Sequence, residues 1–332
     1  MKDCEEPSRP LSLDFKGEGY EYFKIWCVNT LLTIITIGIY SAWATVRNNR
    51  YFYANLFLDD SSFQYLADPL TILKGRLIAV TCFVFYLVIS NFYPIVGVFL
   101  ALMMFIAIPY LVIRSLAFRN RMTAWRGVQF RFNGGYQDAF VALYVWPLLG
   151  VISIGLLYPM TLLKLNRFIA ANSAYGTTNF KFHATYKDYG KIFLLIFIGI
   201  IIIGLMSVVL LSSTGPEMML VSLVFYGILF VYAKMAFINL FHNSLRLKNH
   251  YFLADLEFNG LFKIYVTNLF LIIVSLGLYL PVAKVRLTKY IVDHINPYAL
   301  GDFGEFASAE KEKVDALGEE LGQVFDFDIG AY

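Results

Sequence analysis

Charge is scarce in this chain of 332 residues, because Asp, Glu, Lys and Arg together make up only 15% of it. Ordinary soluble domains carry about 25% charged residues. Hydrophobic residues reach 58%, with 31 Phe and 23 Tyr. So few charges cannot cover so much apolar material in water. The composition excludes a disordered chain, a disulfide-stapled secreted module, a coiled coil and an ordinary cytosolic enzyme. It indicates an integral membrane protein.

Cysteine is also scarce. Cys4, Cys27 and Cys82 show no pairing or metal-binding spacing, which is typical of a protein in a reducing compartment. The first ten residues contain no apolar run, so we expect no cleaved signal peptide.

Catalytic motifs are absent from the sequence. It contains no phosphate-binding glycine loop, no dinucleotide-binding glycine motif and no GxSxG elbow. The histidines do not have the spacing of a metal site; they are His183, His242, His250 and His294. We therefore expect no enzyme activity, no cofactor, no metal and no nucleic-acid partner.

Lys and Arg are missing from two long windows, Leu77–Ile113 and Ile192–Val231. A membrane-spanning helix needs about 20 apolar residues, so each window predicts a pair of spans. The four predicted spans are Ile72–Ser90, Ile95–Ala117, Ile192–Leu211 and Met218–Phe237. None has an ionisable group in its central part, which disfavours proton-coupled transport.

Three further apolar stretches are broken near their ends by Gly or Pro: Phe23–Trp43, Ala139–Thr161 and Leu261–Val282. The connections inside the two predicted pairs lack Lys and Arg, whereas the other connections are basic. The positive-inside rule therefore places most loops and both termini in the cytoplasm of a bacterial inner membrane. That rule is met if each broken stretch enters and leaves the membrane on the same face. Seven full spans remain the alternative.

The broken stretches resemble one another, which indicates an internal repeat. Residues Gly38 to Arg47 align without gaps on Gly277 to Arg286, and a middle copy is looser. The repeated break comprises Gly38, Tyr40, Trp43, Gly155, Tyr158, Pro159, Gly277, Tyr279 and Pro281.

Short alternating segments, mostly aromatic-x-aromatic, accompany the repeats and predict half-buried strands on the cytoplasmic side. The six segments are Leu13-Asp14-Phe15, Phe63-Gln64-Tyr65, Phe130-Arg131-Phe132, Phe180-Lys181-Phe182, Leu256-Glu257-Phe258 and Phe325-Asp326-Phe327. Their pairing cannot be deduced from the sequence.

Two sets of residues are candidates for function. Neutral polar residues in the broken stretches either line a solute pathway or hydrogen-bond the unwound backbone; they are Asn29, Thr33, Thr36, Ser153, Asn268 and Ser275. Cations in the amphipathic helices after the breaks either anchor the protein to anionic headgroups or ring an anion entry; they are Arg47, Arg50, Lys164, Arg167, Arg286 and Lys289.

A family resemblance rests on Phe15-Lys16-Gly17, then Thr36, Gly38 to Tyr40, Trp43 and Val46-Arg47, together with the ending Phe325 to Gly330. These motifs resemble the YjgN-type family of bacterial inner-membrane proteins over nearly the whole chain. The resemblance implies a polytopic inner-membrane protein and no particular activity.

We therefore expect an all-α polytopic membrane protein with two transmembrane hairpins, three broken segments and short cytoplasmic β-strands. The expected units are repeat 1 (residues 1–71), hairpin 1 (72–117), repeat 2 (118–190), hairpin 2 (191–237) and repeat 3 with an acidic tail (238–332).

The function expected first is a conduit or transporter for a small solute through the broken segments. The alternative is a non-transporting scaffold or envelope-stress factor that binds lipid or a protein. The expected partners are the bilayer and anionic headgroups at its cytoplasmic face, while self-association and a protein partner stay open. The acidic tail, Gly304–Gln323, is expected to be helical and to lie on the basic face or bind a partner there.

Overall fold

A computed structural model describes residues 8–214, 219–301, 303–314 and 316. The strands are β1 (Ser8–Pro10), β2 (Leu13–Phe15), β3 (Leu56–Leu58), β4 (Ser61–Tyr65), β5 (Thr123–Trp125), β6 (Val128–Phe132), β7 (Ser173–Tyr175), β8 (Thr178–Phe182), β9 (Leu245–Leu247), β10 (His250–Ala254) and β11 (Ile295–Leu300). The helices are α1 (Gly19–Ile35), α2 (Ser41–Ala54), α3 (Pro69–Phe92), α4 (Pro94–Arg121), α5 (Tyr136–Phe140), α6 (Trp146–Ile152), α7 (Tyr158–Ala171), α8 (Tyr186–Thr214), α9 (Met219–Asn243), α10 (Phe258–Val274) and α11 (Leu280–Asp293). A π-helical turn, Val141–Val145, joins α5 to α6, and a last helix covers residues 303–314.

All eleven strands form one antiparallel sheet in the order β1-β11-β10-β9-β8-β7-β6-β5-β4-β3-β2. The two edge strands, β1 and β2, are separated in sequence by only Leu11 and Ser12. The Leu11 amide donates to the Pro297 carbonyl at 2.9 Å, and the Asp59 amide donates to the Ser12 carbonyl at 2.9 Å. Since consecutive residues bond to opposite ends of the strand order, the sheet must curl round on itself.

Tight turns join the strands in pairs at one end of the sheet. Asp59 and Asp60 between β3 and β4, and Arg126 and Gly127 between β5 and β6, all have positive φ. Two consecutive residues with positive φ match the right-handed twist of the strands they join. We call this end of the sheet the turn end.

Helical pairs leave and return at the other end, which we call the helix end. The α1–α2 pair begins after β2 and ends before β3, and β2 and β3 are hydrogen-bonded neighbours. The same relation holds for α3–α4 between β4 and β5, α5–α7 between β6 and β7, α8–α9 between β8 and β9, and α10–α11 between β10 and β11. Both ends of every pair therefore lie on the same side of the molecule.

Each helical pair touches the next, so the five pairs form a ring on the helix end of the sheet. Tyr22 of α1 packs with Val285 of α11, which joins the first pair to the last. The other joints are Arg76 with Thr45, Tyr136 with the Ile106 carbonyl, Asn166 with Tyr189, and Phe230 with Tyr265.

The three broken segments share one backbone geometry at their tips. Each tip has two consecutive residues of positive φ, and the second is a glycine: Ile37-Gly38, Ile154-Gly155 and Leu276-Gly277. The glycine amide in each case donates a 2.8 Å hydrogen bond to the carbonyl five residues earlier. Positive φ costs an L residue about 1–2 kcal/mol, whereas glycine adopts it freely. The tip therefore depends on the glycine.

Within the described residues, four helices are long and apolar enough to cross a membrane: Pro69–Phe92, Pro94–Arg121, Tyr186–Val208 and Val221–Asn243. These match the four spans expected from the sequence. The first helical arm of each broken segment has 17 residues, or about 26 Å at 1.5 Å per residue. The hydrocarbon layer is about 30 Å thick. Seven single spans do not fit this fold, since both ends of each broken segment lie at the same end of one sheet.

The expected all-α fold is wrong, because the strands form an eleven-stranded curled sheet that carries all the helical pairs. Four of the six predicted strands are present, as β2 and within β4, β6 and β8. Leu256-Glu257-Phe258 is not a strand: Glu257 is the N-cap of α10, and the strand ends at Ala254. Phe325-Asp326-Phe327 lies outside the described residues. The missed strands are mostly three residues long and lack the aromatic-x-aromatic pattern that marked the predicted segments.

The helix over residues 303–314 lies across the turn end. Its Glu310 is 1% exposed and accepts hydrogen bonds from the Thr177 amide at 2.7 Å, the Thr177 hydroxyl at 2.8 Å and the Thr178 hydroxyl at 3.0 Å. Burial alone would raise the pKa of Glu310. The Lys313 ammonium, at 2.9 Å, and the threonine donors outweigh burial and lower this pKa to about 2. The carboxylate therefore stabilises the docked helix at neutral pH, and this contribution is lost as pH falls from 4.5 towards 2.

Glu310→Gln should loosen this helix, because a charge-assisted hydrogen bond contributes about 1.5–3 kcal/mol. We expect amide hydrogen exchange over residues 303–314 to speed up roughly ten- to hundredfold. The matched control is Glu312→Gln, which removes an exposed carboxylate from the same helix and should leave exchange unchanged. Equal exchange in Glu310→Gln and the wild type would contradict the proposed role of Glu310.

Candidate functional site

Aromatic rings line the inside of the curled sheet at equivalent positions of successive hairpins. Phe63 of β4, Phe130 of β6 and Phe180 of β8 stack in a row, with centroids 6.3 Å and 6.5 Å apart. Each is the first aromatic residue of an aromatic-x-aromatic segment. The second residue of each, two positions along the same strand, packs instead against the base of the helices. The alternation thus places both aromatic residues inside the sheet and the middle residue outside.

These rings surround an apolar cavity of about 320 Å³. Every strand from β2 to β11 contributes to its wall, which consists of Leu13, Leu56, Leu58, Phe63, Trp125, Phe130, Tyr175, Phe180, His242, Leu245, Leu247, Phe252, Val292, Ile295 and Phe303. Leu58, Trp125 and Tyr175 lie near the turn end beside Phe303. Leu56, Leu245 and Ile295 lie at the helix end, just after the last residues of α2, α9 and α11. The cavity therefore extends along the sheet from the 303–314 helix to the ring of helices.

Polar atoms in the cavity wall already have protein partners. The Trp125 indole donates to the Ser61 carbonyl at 3.1 Å, and the Tyr175 hydroxyl donates to the Trp125 carbonyl at 3.2 Å. The His242 Nδ1 lies 2.8 Å from the Ile238 carbonyl. Burial is also the main cause of the raised pKa of Tyr175. A buried water needs two to four polar partners, so this space favours apolar occupants over water.

Three of the candidate pathway residues hydrogen-bond the backbone of the breaks. The hydroxyl oxygens of Thr36, Ser153 and Ser275 each accept a 2.9 Å hydrogen bond from the amide four residues later. They thereby satisfy donors that the unwound chain leaves free, which would cost several kcal/mol unpaired in lipid. Thr33 differs, because its hydroxyl donates to the Asn29 carbonyl four residues earlier.

The two asparagines have different roles from these hydroxyls. Asn268 is buried; its amide donates to the Ala283 carbonyl at 3.3 Å, and its oxygen accepts from the Arg286 guanidinium at 2.9 Å. Asn29 is also buried and donates to the Asn48 side chain at 2.9 Å, while its own oxygen has no partner among the described residues. Each asparagine joins the two arms of its own broken segment.

The cations of the amphipathic helices serve separate helical pairs. Arg50 and Arg167 donate to the carbonyls of Ala67 and Ala184, which lie just after the following strands. Lys164 lies 5.2 Å from the Trp146 ring centre. Lys164 and Arg167 also line a cleft of about 440 Å³ beside the π-helical turn. Arg47 and Lys289 are exposed.

The remaining residues of the break motif shape the segment tips and the start of the second arm. Gly38, Gly155 and Gly277 take positive φ, and Pro159 and Pro281 stand at the beginning of α7 and α11. A proline is tolerated there because the first turn of a helix has free amides. Aromatic residues support these ends: Tyr40 stacks on Trp43, Tyr158 packs on Phe193, and Tyr279 accepts from Arg286.

A group of cations on the outer face of the sheet was not among the candidates identified from the sequence. Arg131, Lys181 and Arg246 each stand one residue from the helix end of their strand, and Lys181 lies directly opposite Arg246. Like charges placed opposite each other destabilise a sheet, so this arrangement favours an anionic neighbour. We call these three residues the basic belt. The signal was the charged middle residue in Phe130-Arg131-Phe132 and Phe180-Lys181-Phe182.

Comparison with known protein families shows which family this chain belongs to. Residues 10–324 match the family described as "Bacterial protein of unknown function (DUF898)". The chain belongs to this family.

Members of known name agree with the resemblance to YjgN-type proteins. "Inner membrane protein YjgN" of Escherichia coli strain K12 is 31% identical over 181 residues, which cover 52% of this DUF898 chain and 42% of that protein. The protein of the same name from Salmonella typhimurium is 33% identical over 147 residues, or 43% of this chain and 36% of that protein. The alignments thus cover about two-fifths of the relatives' length. No solved structure matches.

The docking of the 303–314 helix should depend on pH through His250. This side chain is buried between Phe303 and Phe306, with ring centres 4.8 Å and 4.9 Å away. Burial and the nearby Lys248 charge lower its pKa below the ordinary 6.5. The folded state therefore prefers neutral imidazole, so stability is complete above pH 6.5 and falls as pH drops below it.

We expect the rate of amide exchange in residues 303–314, divided by the intrinsic exchange rate at each pH, to rise several-fold as pH falls from 7 to 5. Other charged residues line the same cleft as His250, namely Lys248, Glu305 and Lys313. Variants are therefore needed to show which group causes the pH dependence. His250→Gln should remove the pH dependence, and the exposed His183→Gln should retain it. A pH dependence that survives in His250→Gln would assign the transition to another group.

Proposed function

We propose that this protein is a non-transporting scaffold of the bacterial inner membrane that organises lipid around its ring of helical pairs. The observation that carries the proposal is the lack of burial in the spanning helices. The buried share of their apolar windows is 0% in α3, 11% in α4, 6% in the α8 span and 11% in the α9 span. A bundle that walls off a solute path would bury one face of each span, whereas these spans contact their hairpin partner and leave most of their apolar side chains exposed.

The sheet lies at the cytoplasmic face in this proposal. The basic belt stands at the helix end of the strands, next to the membrane that the long helical pairs enter. The positive-inside rule favours the cytoplasm for such cations. Each Lys or Arg near an anionic surface contributes about 1 kcal/mol. The names of the YjgN relatives support an inner-membrane location.

Solute transport, the other function expected from the sequence, has less support and stays a prediction. Its candidate pathway residues lie in three different helical pairs, and most of them hydrogen-bond the backbone of their own pair. The observation on its side is the buried Asn29 oxygen, which has no partner in the described part of the chain. The internal repeat is likewise a proposal, supported by the shared geometry of the three breaks. Self-association and a protein partner stay open.

Removing the basic belt should reduce the enrichment of anionic lipid around the protein. In Arg131→Gln/Lys181→Gln/Arg246→Gln we expect at least a fivefold fall, since each cation near an anionic surface contributes about 1 kcal/mol, which is about fivefold in affinity. The measurement is lipid mass spectrometry of membrane patches extracted by polymer without detergent, compared with the bulk membrane.

The matched control is Arg9→Gln/Lys248→Gln/Lys311→Gln, which removes the same charge from the turn end, away from the five helical pairs. It should keep the wild-type lipid ratio. If both triple variants lose enrichment equally, or neither does, the headgroup contact assigned to the basic belt is wrong.

Reconstituted wild-type protein should show no flux of small ions or neutral solutes above that of protein-free vesicles. Asn29→Leu and Asn268→Leu should likewise leave vesicle permeability unchanged. A stopped-flow or tracer assay checks this. Wild-type flux that Asn29→Leu abolishes, while the protein still folds, would restore the conduit and overturn the scaffold.

A further inference from the structure

We propose that the apolar cavity inside the curled sheet holds one acyl chain of a membrane lipid. The proposal rests on the proposed function, because it needs the helix end of the sheet to lie against the bilayer. It goes beyond that function by assigning an interior binding site to lipid, in addition to the lipid around the helices.

The chemistry of the wall selects the class of ligand. Twelve of the fifteen lining residues are Leu, Phe, Val or Ile, and the other three are Trp125, Tyr175 and His242. The hydrogen bonds of Trp125 and Tyr175 to carbonyls use their polar hydrogens within the protein. None of the described residues that line the space is Asp, Glu, Lys or Arg. A ligand held here is therefore recognised by apolar contact, and about 320 Å³ lies within the usual range for small-molecule pockets.

The direction of the cavity selects the source of the ligand. At the turn end, Phe303 forms part of the cavity wall, and its helix is fixed there by Glu310. At the helix end the wall is formed by Leu56, Leu245 and Ile295, each the first residue of its strand, and by His242 and Val292, one residue before the ends of α9 and α11. An apolar molecule from the bilayer reaches this end without passing through water. A soluble apolar molecule would have to pass the 303–314 helix.

Continuity with the membrane also favours an acyl chain over a protein segment. Of the wall residues at the helix end, His242 lies on α9, which together with α8 forms one of the two pairs of apolar spans. A chain can therefore bend from the bilayer into the sheet while its headgroup stays at the surface. We expect the methyl end of the chain to lie near Trp125, close to the turn end, and the carbonyl end to lie near Leu56 and Leu245.

Trp125 provides a direct probe, since it is one of four tryptophans and lies in the cavity wall. Trp26→Phe/Trp43→Phe/Trp146→Phe leaves Trp125 as the single fluorophore. The protein is reconstituted with phospholipids brominated either near the chain methyl or near the headgroup. We expect methyl-end bromines to quench Trp125 at least twofold more than headgroup-proximal bromines. Equal quenching by both lipids, or quenching by neither, would overturn the proposal.

A cavity-filling pair of variants separates binding inside the sheet from contact outside it. Leu247→Phe adds volume to the cavity wall, whereas Leu253→Phe makes the same change at an exposed site on the neighbouring strand. We expect Leu247→Phe to abolish the methyl-end quenching and Leu253→Phe to retain it. Quenching that persists in Leu247→Phe would place the lipid outside the cavity.

Mass spectrometry of the wild-type chain keeps the proposal testable if a variant fails to fold. After exchange into a stripping detergent, about one tightly held lipid per chain should remain, and Leu247→Phe should lose it. A wild-type chain free of lipid would overturn the proposal. If the basic belt still enriches anionic lipid while Trp125 is not quenched, the interior site fails and the proposed scaffold stands.

Discussion

Pairing between strands at the base of each helical pair is the constraint on which the rest of the structure depends. The Lys16 amide bonds to the Asn55 carbonyl across the base of the first pair, and the Leu66 amide bonds to the Met122 carbonyl across the second. Such ladders force both arms of a pair to start from the same end of one sheet. The sheet supplies a buried core, which the spanning helices lack because they bury few of their own side chains. Stability therefore resides in the sheet and helix bases, where the buried aromatic clusters lie.

The sequence predicted the membrane spans and the breaks well because both are local. A run of about 20 apolar residues or a glycine between two apolar arms depends on neighbours in the chain. Aromatic alternation correctly predicted Phe63-Gln64-Tyr65 as part of a strand. Leu56–Leu58 and Ser173–Tyr175 were missed, since neither has the aromatic-x-aromatic pattern. Leu256-Glu257-Phe258 was predicted wrongly, because alternation and a helix N-terminus are indistinguishable over three residues.

The candidate site was less accessible to sequence reasoning. The cavity takes residues from ten strands, and these residues lie up to about 280 positions apart in the chain, as Leu13 and Ile295 do, so no local pattern encodes their meeting. The sequence locates the polar residues of the breaks, and their role stays a prediction. However, the same pattern describes a pathway and a capped backbone. Hydrogen bonds such as that from the Tyr40 amide to Thr36 favour capping. Of the basic belt, only Arg131 and Lys181 lie in predicted strand motifs, and Arg246 lies in none, because the outward direction of these side chains depends on the sheet.

Sidedness tests the central claim most directly. In a chain whose own cysteines have been replaced, single cysteines are introduced at Asp60, Thr177 and Asn249 in the turns and at Tyr93 between α3 and α4. Each is labelled with an impermeant thiol reagent in oriented vesicles. We predict that the three turn cysteines react only in inside-out vesicles and that the cysteine at position 93 reacts only in right-side-out vesicles. Turn cysteines that react from opposite faces would contradict a single sheet carrying all five helical pairs.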